Sequence, residues 1–197
     1  MKVISVIGLK GGNGKTSAAV PLAWQASQRG TTVLLDLDPT LSATQWLGVA
    51  DLLSDRLMTT TMTPSELDNA VNLLRHGGLQ YLVLDTPPVS AASVRAVAAV
   101  SDLLIMPVHM GAGDIAQVVQ TLELLAAEKV TVPVRGLMNH SGMAAVARDT
   151  RAALEGVGLS MLATEIPYLR VYVLAKGTNP EGWTHFEELW RELEELL

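Results

Sequence analysis

One segment constrains this chain more than any other. Gly8-Leu9-Lys10-Gly11-Gly12-Asn13-Gly14-Lys15-Thr16-Ser17 lies between an apolar run at residues 3–8 and an Ala-rich run at residues 16–29. Glycines without Cβ atoms let a backbone wrap closely around a ligand, so that successive N–H groups point inward. The helix that follows adds the partial positive charge of its N-terminus. Lys15 is placed to reach β- and γ-phosphates, and the Thr16 hydroxyl to ligate Mg²⁺. A Gly-rich loop alone is weak evidence. Gly-Lys-Thr between a strand and a helix predicts a nucleotide site made by Gly11, Gly12, Asn13, Gly14, Lys15, Thr16 and Ser17.

The rest of the pattern alternates short β-rich runs with helical stretches, which argues for an α/β chain: a mostly parallel twisted sheet with helices on both faces. Strands are expected at 3–8, 32–37, 81–84, 103–108, 134–138 and 161–166. Helices are expected at 16–29, 91–100, 114–129 and 144–155, and from Pro64 to about residue 76 with Thr63 as N-cap and Glu66 completing a capping box. A last helix at about 181–197 spaces Trp183, Phe186, Trp190, Leu193 and Leu197 three or four apart, as expected of a helix docked on the sheet's helical layer. No repeat or linker interrupts the pattern, so residues 1–197 read as a single domain.

Composition narrows the chemistry. The chain has no cysteine, which excludes disulfides, thiol nucleophiles and Cys-ligated metal centres. No apolar run reaches the roughly 18 residues of a membrane span, because Asp102 and Pro107 break the most apolar stretch. The first residues lack a signal-peptide pattern. The net charge of −6 is concentrated at the end, where Glu181, Glu187, Glu188, Glu192, Glu194 and Glu195 face Arg191 alone. A membrane-surface helix is the other reading of that amphipathic segment, but such helices carry bases on their polar face. The body is nearly neutral and can hold a local basic face.

Strict Walker A spacing puts its first glycine at Leu9, and a second lysine, Lys10, follows. Lys10-Gly11-Gly12-Asn13-Gly14-Lys15-Thr16 resembles the deviant Walker A motif of the ParA/MinD family of ATPases. The resemblance implies a single-domain P-loop NTPase fold, ATP and Mg²⁺ as ligands, and a homodimer in the ATP state with Lys10 acting across it on the partner's phosphates. Asp36-Leu37-Asp38-Pro39 followed by Ser42-Ala43-Thr44 resembles the family's switch I, with Thr40 where Gln is usual. By that likeness Asp38 orients the attacking water, and with Lys10 and Lys15 it makes up the catalytic set. Tyr81-Leu82-Val83-Leu84-Asp85 is similar to the family's Walker B strand, and the resemblance implies a Mg²⁺ site made by Thr16, Asp85 and Asp38. Asn139 and Pro167 resemble the positions that contact adenine.

Within the family, the missing cysteines and the acidic last helix point away from the metal-chaperone and MinD-like membrane branches. The ParA group remains. It implies a cytoplasmic, nucleoid-associated ATPase, slow and partner-stimulated, that binds non-specific DNA, needs no membrane, and segregates a plasmid or chromosome with a ParB-like or other cargo-bound protein. Residues 135–176 carry five bases (Arg135, Arg148, Arg151, Arg170, Lys176) against three acids. Arg170, Lys176, Arg148 and Arg151 are therefore DNA-binding candidates, with ordinary surface charge as the alternative reading. A first strand at residue 3 is expected to leave no room for a DNA-reading extension before it. Two further functions stay open: the same switch carrying a protein cargo, and a small-molecule ATP-dependent ligase or kinase on this fold.

Overall fold

The computed structural model describes residues 1–197, apart from the side chains of Ala112, His140 and Val173. Seven strands, β1 (Lys2–Val6), β2 (Thr32–Asp36), β3 (Leu57–Thr61), β4 (Tyr81–Asp85), β5 (Leu103–Val108), β6 (Val134–Ser141) and β7 (Met161–Pro167), form one sheet. Its order is β3-β2-β4-β1-β5-β6-β7, and every pairing is parallel. Eight helices connect or cover the strands: α1 (Lys15–Ser27), α2 (Ser42–Val49), α3 (Leu67–His76), α4 (Ala91–Val100), α5 (Ala112–Ala127), α6 (Ala144–Gly156), α7 (Arg170–Val173) and α8 (Thr184–Leu196). The reading of α/β with helices on both faces holds, and the sheet is wholly parallel.

Strands buried on both faces read as continuous apolar runs. Alternate residues enter two different cores. Ile4, Val6, Leu34, Val83 and Ile105 pack with α1, α2 and α8. Val3, Val33, Leu35, Leu82, Leu84 and Leu104 pack with α3, α4, α5 and α6. Helix α1 is apolar almost all round because it is sandwiched: Ala18, Ala19, Val20, Leu22, Ala23 and Ala26 are each 0–1% exposed. Its small side chains leave room for α8 to lie over it. Phe186, Leu189, Trp190 and Leu193 are the buried stripe of α8, as its spacing predicts, and the Trp190 ring meets Tyr81 edge-on at 5.2 Å. The helix begins at Thr184, three residues later than expected, because Gly182 takes φ 76. On its other face, the Glu192 carboxylate accepts the N–H groups of Ala163 at 2.6 Å and Thr164 at 2.9 Å. That occupies donors of edge strand β7 which could otherwise pair with a foreign strand.

Three elements were not foreseen: strand β3, helix α2 and the single-turn helix α7. Edge strand β3 is short and largely exposed, with three threonines that alternate with nothing apolar. Helix α2 has no side-chain cap of its own: its first turn is held by Asp36, whose Oδ2 accepts the Thr44 N–H at 2.9 Å. The Trp46 indole of α2 donates to the Thr178 carbonyl at 2.8 Å, fastening this helix to the segment after α7. The expected capping box is present, with the Glu66 carboxylate accepting the Thr63 N–H at 2.9 Å, but the turn it opens over Pro64–Glu66 is 3-10 before α3 begins. Among the described residues no helix is long and apolar enough to cross a membrane.

Trp190 is 0% exposed and joins α8 to the sheet. Trp190→Ala is expected to cost about 3–5 kcal/mol, read as a lower urea midpoint with an unchanged slope.

Candidate nucleotide site

The phosphate loop leaves central strand β1, whose neighbours are β4 and β5. Its turn uses the left-handed backbone that glycine favours, at Gly12 with φ 84 and Gly14 with φ 86. Gly14 is also the N-cap residue of α1, and no side chain caps that end and no acid lies in its first turn. The first N–H groups of α1 are thus left for an anion. Two of the glycines are also crowded by asparagine side chains. A Cβ on Gly14 would stand 2.0 Å from Asn139 Nδ2, and one on Gly8 2.2 Å from Asn13 Nδ2.

Lys15 is 6% exposed, and its Nζ donates to the Lys10 carbonyl at 2.9 Å and Asn13 Oδ1 at 3.4 Å. Burial lowers its pKa from the ordinary value, against the opposing pull of Asp85 and Asp38. Thr16 Oγ1 donates to Asp85 Oδ2 at 2.6 Å. Asp85 is 0% exposed, and its other oxygen, Oδ1, is buried without a hydrogen-bond partner. Burial above all pushes this carboxyl up to about 7; the Thr16 hydrogen bond opposes the shift, and Asp36 and Asp38 add to it. Asp36 sits beside Asp85 in the β2–β4 register. Asp36 itself is spent on the backbone, with Oδ1 accepting the Asp38 N–H at 3.1 Å and Oδ2 that of Thr44.

A cleft of ≈350 Å³ brings together Gly11, Gly12, Gly14, Lys15, Thr16, Ser17 and Asp38, along with Thr40, Ser42 and His109. Sequence-distant Asp38 thus faces the phosphate loop. Asn139 is 2% exposed, its Nδ2 is buried without a hydrogen-bond partner, and it packs on Gly14 at the end of β6. Pro167 ends β7 one strand away, in register with Ser141.

His109 was missed. Its loop follows β5, and only the β1–β5 pairing puts it against the phosphate loop, so no local sequence signal could have found it. Burial lowers its pKa and Lys10 adds to the effect, while Asp114 opposes.

The donors suit Mg²⁺. A hydroxyl and an orphaned carboxylate oxygen are hard ligands, and Mg²⁺ is commonly held by one or two such groups plus waters and substrate phosphates. The described residues hold no group of three or more His, Cys, Asp and Glu that would bind a metal without phosphates.

The basic candidates are less gathered. Arg170 and Lys176 are exposed on and just after α7. Arg148 is exposed on α6 and pairs with Asp149 at 3.2 Å. Arg151 differs: its guanidinium is engaged by Glu165 at 2.9 Å and the Leu162 carbonyl at 2.8 Å.

Comparison with known proteins agrees with this geometry. A family profile described as an AAA domain matches residues 1–73. The chain is 35% identical over 124 residues to the maintenance of carboxysome distribution protein A of Gloeobacter kilaueensis, covering 61% of this chain and 55% of that protein. It is 27% identical over 133 residues to protein ParA of Rhizobium radiobacter, covering 67% of this chain and 60% of that one. The MinD cell division protein of Aquifex aeolicus superposes with a TM-score of 0.79 at 16% identity, over 99% of this chain and 97% of that one. The chain has the fold and the phosphate loop of the ParA/MinD-type P-loop ATPases. The matched stretches span little more than half the length of the first two relatives.

Asp85 gives this site a pH signature. A carboxyl that binds its proton more tightly folded than unfolded makes stability fall as pH rises from the unfolded value near 3.8 to the folded value of about 7. In nucleotide-free, metal-free protein, Asp85→Asn removes that loss. Urea unfolding at pH 5 and pH 8 should show the variant gaining on the wild type as pH rises. Gly14→Ala, strained at φ 86 and blocked by Asn139, is expected to abolish binding of a fluorescent ATP analogue.

Proposed function

We propose that this chain is an ATPase acting as an ATP-dependent dimerising switch, one that binds non-specific DNA in the ATP state and positions a plasmid or chromosome with a ParB-like, site-binding partner. The observation that carries the reading is the second lysine. Lys15 is buried inside the cleft, whereas Lys10 is exposed on the loop, a charge available to the phosphates of a second subunit. Two copies face to face would then gather two lysines on each nucleotide.

Asp38 takes the water-orienting role because its carboxylate lines the same cleft as the phosphate loop. Thr16 and Asp85 would hold Mg²⁺, which when bound supplies charge neutralisation for the phosphates and binding energy for an ionised Asp85. Asn139 and Pro167 complete the nucleotide site on the adenine side. Hydrolysis is slow until the partner binds, and ADP-bound monomers leave the DNA. Arg170 and Lys176 contribute most to the DNA face, Arg148 less, and Arg151 least because its guanidinium is already paired. The setting is a cytoplasm with a nucleoid.

A protein cargo is the second reading, and the name of the Gloeobacter relative favours it. The switch and the DNA step are the same in both. Only the bridging partner differs.

The test is binding to a non-specific duplex in ATPγS, in ADP and without nucleotide, across a salt series. Binding is expected only in ATPγS, weakening steeply with salt. Arg170→Ala should lower the log–log slope by about 2 per dimer, one contact from each subunit. Lys10→Ala is expected to bind nucleotide yet stay off DNA, while Asp38→Ala stays on it in ATP. DNA binding equal in all three nucleotide states would overturn the switch.

A further inference from the structure

The turn that carries Asp38 also contains the side chain of Thr40. Residues 38–41 close through the Leu41 N–H donating to the Asp38 carbonyl at 2.9 Å, with Pro39 setting the second position and Leu41 at φ 52. Inside the turn, Asp38 Oδ1 accepts twice from Thr40, from its N–H at 2.8 Å and from its Oγ1 at 2.7 Å. Thr40 Oγ1 also lies 3.1 Å from Ser42 Oγ. A hydroxyl that gives its proton to Asp38 can therefore accept one from Ser42. Among the described residues no hydrogen bond reaches Asp38 Oδ2. Asp38, Thr40 and Ser42 all line the cleft that holds the phosphate loop.

We infer that Thr40 is a positioning residue for hydrolysis: it clamps Oδ1 of Asp38, so that Oδ2 is the oxygen presented to the attacking water. This deepens the role given to Asp38 above and rests on it. In the step concerned, the water oxygen bonds to the γ-phosphorus as the bond to the β,γ-bridging oxygen breaks, its electron pair leaving with ADP. One water proton passes to Oδ2 and is later released to solvent. Threonine suits the clamp because its branched Cβ restricts χ1 and holds the hydroxyl close to the backbone. The longer side chain of Gln, usual in the motif that this segment resembles, puts its polar atoms farther out. Here two short hydroxyls in series, Ser42 to Thr40 to Asp38, do the orienting. Because Thr40 is exposed, these hydrogen bonds compete with water, and their effect falls on the carboxylate's direction and little on stability.

The experiment compares wild type, Thr40→Val, Thr40→Ser and Asp38→Ala in single-turnover hydrolysis of γ-labelled ATP with Mg²⁺, alongside nucleotide Kd and thermal midpoint. Thr40→Val is expected to hydrolyse about tenfold more slowly, with Kd within about twofold of wild type and an unchanged midpoint. Thr40→Ser should recover at least about half the rate, since it restores the hydroxyl. Without nucleotide, hydrogen exchange across residues 40–42 should be faster in Thr40→Val and close to wild type in Thr40→Ser. Thr40→Val at the wild-type rate, or Thr40→Ser as slow as Thr40→Val, overturns the inference while a slow Asp38→Ala leaves the Asp38 role intact. An Asp38→Ala variant as fast as wild type overturns both.

Discussion

Two carboxylates lie buried side by side at the ends of β2 and β4, and the site is organised around the cost of holding them there. Asp36 and Asp85 are paired in the sheet register, and both are almost wholly buried. Asp36 is compensated by backbone N–H groups, that of Asp38 and that of Thr44 in the first turn of α2. Asp85 has the Thr16 hydroxyl and, more distantly, Lys15, and one of its oxygens has no hydrogen-bond partner. Burying a charge without full compensation is costly, and such a group answers by holding its proton. A divalent cation beside Asp85 would offset that cost. Coupling of this kind is reciprocal: whatever favours the ionised Asp85 also favours the cation.

The same arrangement links the nucleotide site to the rest of the molecule. Asp36 holds the start of α2, and Trp46 of α2 is fastened to the Thr178 carbonyl and tilted against Trp183 at 6.2 Å. Trp183 in turn meets Tyr172 of α7 at 5.1 Å. Helix α2, which follows the Asp38 turn, and the basic segment around Arg170 and Lys176 thus meet at one aromatic cluster. Glu192 and the Arg29–Glu194 pair at 3.1 Å complete the docking of α8 on the same side. The acidity of that helix, which in sequence is a block of charge, serves partly to cap an edge strand.

How much could be read in advance followed how local each signal was. The phosphate loop was fully legible, because glycine spacing, a lysine and a hydroxyl act within ten residues. Helix α8 was legible from its 3.6-residue apolar period. Strand β3 was not, since an exposed edge strand needs no buried face and its threonines carry no alternation. Helix α2 was hidden because its cap is Asp36, a residue six positions before its start and on another element. Arg151 read as a free surface base; its pairing with Glu165 joins residues fourteen apart on α6 and β7.

The sequence by itself determined that a glycine-rich loop would sit between a strand and a helix, that the central strands would be buried on both faces, and which carboxylates could face the loop. Those follow from covalent geometry and short-range periodicity. Only the tertiary structure decided that β1 lies between β4 and β5. That order brings Asp85 onto Thr16 and His109 to the rim of the loop, and the β2–β4 pairing puts Asp36 beside Asp85. It likewise decided that Asp38 presents one oxygen while Thr40 holds the other. Such pairings depend on strand order and on burial, which no single stretch of chain encodes, because both are set by how two apolar cores divide the same strands between them.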